Sequence, residues 1–235
     1  DARFPQCLVK EGFGASERSA SIGRYRKSTG DYDFTFLSEP TPGYANAYPL
    51  VGPVVINEIM YHPDLAADAE YIELLNVSDA PVTFYDESTA EPWRMMHPAF
   101  WFPTNPPMTL QPGECLVLVK DMTAFSSRYA VPEGVQVLAW SSGDLGPGGK
   151  KLKFKKVRLA KPGDVDNQGK RQWIQVDEVD YSDGSHGGDF PGGIDPWPVG
   201  PNGLGSSLSR RRPDRYGNDP NNWEAATAAP GRPND

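Results

Sequence analysis

Apolar residues in this chain come in short runs rich in β-branched and aromatic side chains, separated by turn residues, a pattern that predicts strands. The first strong run is Val54-Val55-Ile56-Asn57-Glu58-Ile59-Met60, and Glu70-Tyr71-Ile72-Glu73-Leu74-Leu75-Asn76 follows after a polar loop. Val82-Thr83-Phe84, Phe100-Trp101-Phe102, Cys115 to Lys120, Val135 to Trp140 and Lys151 to Leu159 come next. Pro103 to Pro107, Gln111-Pro112-Gly113 and Gly146 to Gly149 supply the turns between them. The last long strand, Gln172 to Tyr181, changes phase. Ile174 and Val176 share one face while Val179 and Tyr181 have the opposite parity, so a bulge is expected near Asp177. Only Asp121 to Tyr129 reads as helix, with Asp121 as cap and Met122, Phe125 and Tyr129 at helical spacing. Short strands at regular intervals imply a sandwich or a barrel.

Beyond Asp183 the chain is rich in glycine and proline, yet Trp197, Leu204, Leu208, Tyr216 and Trp223 recur through it. Large apolar side chains at that density predict a long strap held on the sandwich rather than a free tail. An internal echo suggests the domain plan. Ser21-Ile22-Gly23-Arg24 resembles Ser207-Leu208-Ser209-Arg210, and Pro42-Gly43-Tyr44-Ala45-Asn46 shares its P-G-x-x-N spacing with Pro230-Gly231-Arg232-Pro233-Asn234. The serine-to-proline distance is 21 residues in the first copy and 23 in the second. Residues 1–46 are therefore expected to be the end of a preceding repeat, 47–53 a linker, and 54–235 one complete repeat. Asp33-Phe34-Thr35-Phe36-Leu37 alternates like a half-buried strand, able to complete a sheet edge of the domain.

Composition supports this plan. Glycine and proline each number 24, which leaves little room for long helices, and 38% hydrophobic with 23% charged residues fits a folded chain. Apolar runs stay far below the ~18 residues needed to span a bilayer, so membrane insertion is not expected. The residues from Asp1 show neither a basic n-region nor an apolar h-region, so either a signal peptide has been removed or this is an internal piece, and the internal echo favours the piece. A formal charge of −8 argues against a nucleic-acid partner. The basic clusters Lys150 to Lys156 with Arg158, and Arg210-Arg211-Arg212, read as solvated strand and turn surfaces. Two cysteines, Cys7 and Cys115, permit one bridge without demanding it.

Six motifs in order resemble those of the lamin tail domain, across about residues 51–235. Val55-Ile56-Asn57-Glu58-Ile59-Met60-Tyr61 is similar to its opening strand, and Glu70-Tyr71-Ile72-Glu73-Leu74-Leu75-Asn76 to its E-(Y/W)-I-E-L-x-N strand. Leu110-Gln111-Pro112-Gly113-Glu114 resembles the turn before the central strand. Val176 to Tyr181, Trp197-Pro198, Gly203-x-Gly205 and Ser206-Ser207-Leu208 resemble the closing strand and strap, and Asn222-Trp223 with Pro230-Gly231 the terminal motif. The resemblance implies an all-β, immunoglobulin-like two-sheet sandwich with one short helix and a long C-terminal strap. It also implies a module appended to large secreted or cell-surface bacterial proteins, engaged in adhesion or binding, with no catalytic residues assigned. The inserts 85–99 and 182–202 are long and offer room for a ligand site.

Candidate chemistry is sparse. His62, Asp64 and Glu58 suit a divalent ion by type, but Pro63 interrupts the strand that would align them. Asp164, Asp166 and Asn167 begin like a calcium loop with Gly169 at the sixth position, yet Gln175 stands where the bidentate glutamate belongs, and a polar hairpin is the competing reading. The acidic run Asp177, Asp180, Asp183, Asp189 is the other place for calcium. No other cofactor is expected. No serine sits in a G-x-S-x-G elbow, the only imidazoles are His62, His97 and His186, and Glu70 and Glu73 diverge to opposite faces, so an enzyme is not expected. Trp93, Trp101, Trp140, Trp173 and Trp223 lie in or beside apolar runs and are expected in the core. Trp197 has the best claim to exposure as a ligand contact, although burial under the strap is the stronger reading. The expected partners are a protein or glycan at the cell surface and adjacent domains of the same chain. A pure spacer and a calcium-dependent binding module are the alternatives.

Overall fold

The computed structural model describes residues 14–66, 68–146 and 155–234. Cys7, residues 150–154 of the basic cluster and the start of the strand expected from Lys151 lie outside them. The elements in order are β1 (Ser21–Arg26), β2 (Tyr32–Leu37), β3 (Val54–Met60), β4 (Tyr71–Asn76), β5 (Val82–Thr83), β6 (Tyr85–Asp86), β7 (Glu91–Pro92) and β8 (Arg94–His97). They continue with β9 (Phe100–Trp101), β10 (Thr109–Leu110), β11 (Cys115–Val119), α1 (Met122–Arg128), β12 (Gln136–Ala139), β13 (Lys155–Val165), β14 (Arg171–Tyr181), β15 (Ser206–Arg210) and β16 (Trp223–Thr227).

Two sheets make the sandwich, as the run pattern requires. One has the order β12-β11-β4-β3-β15-β16, the other β14-β13-β8-β9. Their facing sides bury Val54, Ile56, Ile59, Ile72, Leu74, Leu116 and Leu118 against Met95, Phe100, Val157, Leu159, Val179 and Tyr181. Each such side chain removed from water contributes about 1.5–3 kcal/mol. The larger sheet is also covered outside. Val117, Val119, Met60 and Tyr71 pack there under Phe125 and Tyr129, which explains why every residue of β3 is buried. The helix is the expected one: the Asp121 carboxylate accepts from the Ala124 amide at 2.7 Å, and α1 links β11 to β12, a parallel pair.

Both long strands that meet at the sheet junction are bulged. In β14 the pairs Leu159↔Asp177 and Ala160↔Gln175 leave Val176 as the extra residue, as the phase change predicts. In β3 the pairs Ile56↔Leu74 and Glu58↔Glu73 leave Asn57 as the extra one. That second bulge turns Ile59 inward after Ile56 and sets Glu58 directly across from Glu73 on the outer face. The C-terminal stretch is more regular than a strap from 206 onward. Ser206–Arg210 pairs with β3 and Trp223–Thr227 with β15, so the sheet gains two strands, and 182–205, 211–222 and 228–234 are the connecting chain around them.

The N-terminal echo has a structural counterpart. β1 pairs with β2 from Ser21↔Leu37 to Arg24↔Phe34, as β15 pairs with β16 from Ser207↔Ala226 to Arg210↔Trp223. Gly43 and Gly231 both take positive φ, 84° and 77°. The Asn46 amide donates to the Arg24 carbonyl at 3.0 Å, and the Asn234 amide to the Arg210 carbonyl at 2.9 Å. The hairpin belongs to neither sheet but is fastened to the sandwich. Asp219 accepts from the Ser28 amide at 3.0 Å, the Ser28 hydroxyl and the Tyr25 hydroxyl, while Asp33 accepts from Tyr216 at 3.1 Å and Asn218 at 2.9 Å. Replacing Asp219 by alanine is expected to release the hairpin, at a cost of about 1–3 kcal/mol of local stability. Hydrogen exchange should show faster exchange along 21–37 with the two sheets unchanged.

Candidate functional site

The strongest ionic chemistry of the molecule lies inside it. Arg210 is fully buried and donates to the Asp177 carboxylate at 2.7 Å, to the Ile56 carbonyl at 2.9 Å and to the Arg215 carbonyl. Asp177 also accepts from the Ile56 amide at 2.8 Å, so one carboxylate on the β14 bulge ties both sheets together. Arg210, expected on a solvated turn, is thus a core residue, and Asp177 of the acidic run is held by it rather than free for an ion. A carboxylate between two bulged strands reaches the backbone groups that the bulges leave without ladder partners.

A second set anchors the C-terminus. Glu58 accepts from the Ser207 hydroxyl and from the Ala229 amide at 3.1 Å, and Glu73 accepts from Asn57 at 2.7 Å and from the Gly231 amide at 2.6 Å. Burial, the leading cause, raises both carboxyls and brings Glu73 to about 7, with Glu58 across from it adding to the rise. These two glutamates and the terminal Pro-Gly of the sequence motifs are therefore partners in one clasp. Cys115 carries a free thiol beside Glu73, and burial and that carboxylate push it up.

One surface feature faces outward. On the smaller sheet the Arg94 guanidinium sits 4.9 Å from the Trp101 ring centre and 4.6 Å from that of Trp173, whose indoles meet edge to face at 5.3 Å. Trp101 is 50% exposed, contrary to the core position expected for it. Its strand β9 is the edge of a four-stranded sheet, and nothing in the apolar run Phe100-Trp101-Phe102 marks which neighbour turns outward except alternation around the buried Phe100 and Phe102. The insert 85–99 supplies β8 and thus Arg94.

The other insert, 182–202, closes the end of the sandwich. Trp197 is only 3% exposed and packs near Tyr181 and Trp223, so it is a core residue and not a ligand platform. Around it the loop folds back on itself so that Asp183, His186 and Asp195 converge, with ligand atoms all within 4.8 Å of one another. Gly184 and Gly187 allow the approach: a Cβ on Gly184 would lie 2.6 Å from the Trp197 carbonyl, and one on Gly187 2.2 Å from the Gly193 carbonyl. Asp183 accepts from Ser185 and from His186 Nδ1 at 3.1 Å, and Asn202 bridges it to His62 Nδ1 at 2.8 Å. Asp195 accepts from the His186 amide at 3.0 Å, the Trp197 amide at 3.0 Å and the Ser182 hydroxyl.

Other residues picked from the sequence are dispersed. His62 points to Asn202, Asp64 pairs with Arg128, and Glu58 lies on the outer sheet face, so these three form no common site. Asp166 accepts from the Gln168 and Lys170 amides, both at 2.9 Å, and from Gln172 at 2.7 Å, which is the hairpin turn between β13 and β14. Asp164 and Asn167 are exposed beside it. His97 meets the Asp144 carbonyl at 3.0 Å, and Asp180 donates its amide to Asn218. Sequence reasoning named Asp183 and His186 separately and missed Asp195, whose only signal was its place before Pro196-Trp197-Pro198.

The fold is thus an all-β sandwich with an outer clasp and a capped end. Comparison with known proteins finds no family model that matches the chain and no curated protein similar to it. Among the described residues no helix is long and apolar enough to cross a membrane.

Proposed function

We propose that this chain is a non-catalytic binding module of the lamin-tail type within a larger secreted or cell-surface bacterial protein, stacked on a preceding module of its own kind. The β1–β2 hairpin carries this reading. It has the antiparallel pairing, the positive-φ glycine and the asparagine clasp of the β15–β16 hairpin, and among the described residues β1 has a single strand neighbour, β2. In the second copy the matching strand, β15, pairs with β3. By that equivalence the outer edge of β1 accepts the opening strand of a preceding sandwich, and the Asp219 and Asp33 bonds set the angle between the two. Hydrogen exchange on the parent protein tests it. The amides of Ser21–Arg26 that face away from β2 should be protected when the preceding segment is present, and unchanged exchange would remove the reading.

The Trp101–Arg94–Trp173 cluster favours glycan as the external ligand. An indole face packs against sugar C–H groups, and a guanidinium beside it donates to hydroxyls, a combination that needs no cleft. On a glycan array the intact chain should be retained, and Trp101→Ala should lose at least about tenfold in affinity, the equivalent of ~1.4 kcal/mol. Equal retention of the variant would leave the module as a spacer that positions its neighbours.

A further inference from the structure

We infer that Asp183, His186 and Asp195 form a binding site for one divalent transition-metal ion, zinc being the best match to the donor set. The three side chains offer two carboxylate oxygens and an imidazole nitrogen inside a sphere that a single ion can contract onto, since their mutual separations already fall within 4.8 Å. A second observation points to the same place. Tyr61 is only 1% exposed, and its buried hydroxyl has no hydrogen-bond partner among the described residues. After burial itself, the neighbouring charges of Asp183 and Asp195 raise this phenol, so it lies within electrostatic reach of the cluster. A buried hydroxyl without a partner costs roughly 1–3 kcal/mol, and an ion held by the two carboxylates or a water on that ion relieves it.

The donor chemistry selects the ion. Imidazole with carboxylates suits zinc, and zinc stands above manganese in the general affinity order for such ligands. Calcium prefers six to eight oxygens and has no use for the imidazole. The ligands come from a short, glycine-tightened loop in which each carboxylate is already oriented by neighbours. Ser182 and the His186 and Trp197 amides hold Asp195, while Ser185 and Asn202 hold Asp183. Such outer contacts fix ligand direction around a metal. Bound there, the ion would pin the 182–202 insert with its Trp197 against Tyr181 and Trp223.

The test uses the untagged chain after chelator treatment. Cobalt(II) titration should produce visible absorption bands that saturate at one equivalent, and zinc should displace them. Zinc should also raise the thermal midpoint, because a ligand for the native state alone stabilises it. His186→Gln removes a partly exposed ligand and should weaken zinc about 10- to 100-fold, whereas His97→Gln should leave it unchanged. Circular dichroism verifies that both variants fold. Absent cobalt bands, zinc binding indifferent to His186→Gln, or a response to calcium in place of zinc would each overturn the assignment.

Discussion

Asp177→Ala is expected to lose about 3–5 kcal/mol of stability, because it leaves the fully buried Arg210 guanidinium without its counter-charge. The carboxylate also accepts from the Ile56 amide in the β3 bulge, so its loss strands a backbone donor between the sheets as well. Against a total of ~5–15 kcal/mol for a domain, this single change would leave a marginal fold. Urea unfolding measures it. The paired replacement Asp177→Leu with Arg210→Met should recover most of the loss, since removing both charges removes the unpaired one. A loss below about 1 kcal/mol for Asp177→Ala would mean that water reaches the pair and that the sheets are not tied at this point.

Stability is expected to fall as pH rises from mildly acidic to neutral, the reverse of ordinary acid denaturation. Burial brings the Glu73 carboxyl from the ordinary 4.5 to about 7. The folded chain therefore holds this proton more tightly than the unfolded chain does. Below about pH 4.5 both states are protonated and the contribution is complete. Between there and about 7 the unfolded state ionises freely while the folded state does not, and stability declines by about 3 kcal/mol before levelling. Burial raises Glu58 and Glu70 too, so they act in the same direction. Denaturant midpoints measured from about pH 5 to 8 should show the decline, and Glu73→Gln should remove most of its slope. A profile that rises with pH over that window would show that the C-terminal clasp does not exclude water from Glu58 and Glu73.

The strands were legible because alternation and turn residues are local. Val54 to Met60 was read with its observed limits, and the Val176–Asp177 bulge announced itself as a phase change between Ile174 and Tyr181. The same sign was present in β3, where Val54 and Ile56 give way to Ile59 and Tyr61, but a run apolar on both faces hides parity. β15 and β16 escaped notice for a different reason. Ser206-Ser207-Leu208-Ser209-Arg210 has the polarity of a loop, and it is a strand because Ser207 and Arg210 find buried carboxylates on distant segments. The strand β8 was hidden in an insert with no alternation to mark it.

What the sequence determined by itself was the fold class, the helix with its Asp121 cap, the bulge near Asp177 and the echo between 21–46 and 207–234. Each follows from periodicity, turn chemistry or self-similarity, which act over a few neighbouring residues. Only the tertiary structure decided that Arg210 is buried, that Trp101 faces out while Trp197 faces in, and that Asp183, His186 and Asp195 meet. Those outcomes depend on which segments pack together, and a side chain's charge or size does not state its partner until the chain has closed around it.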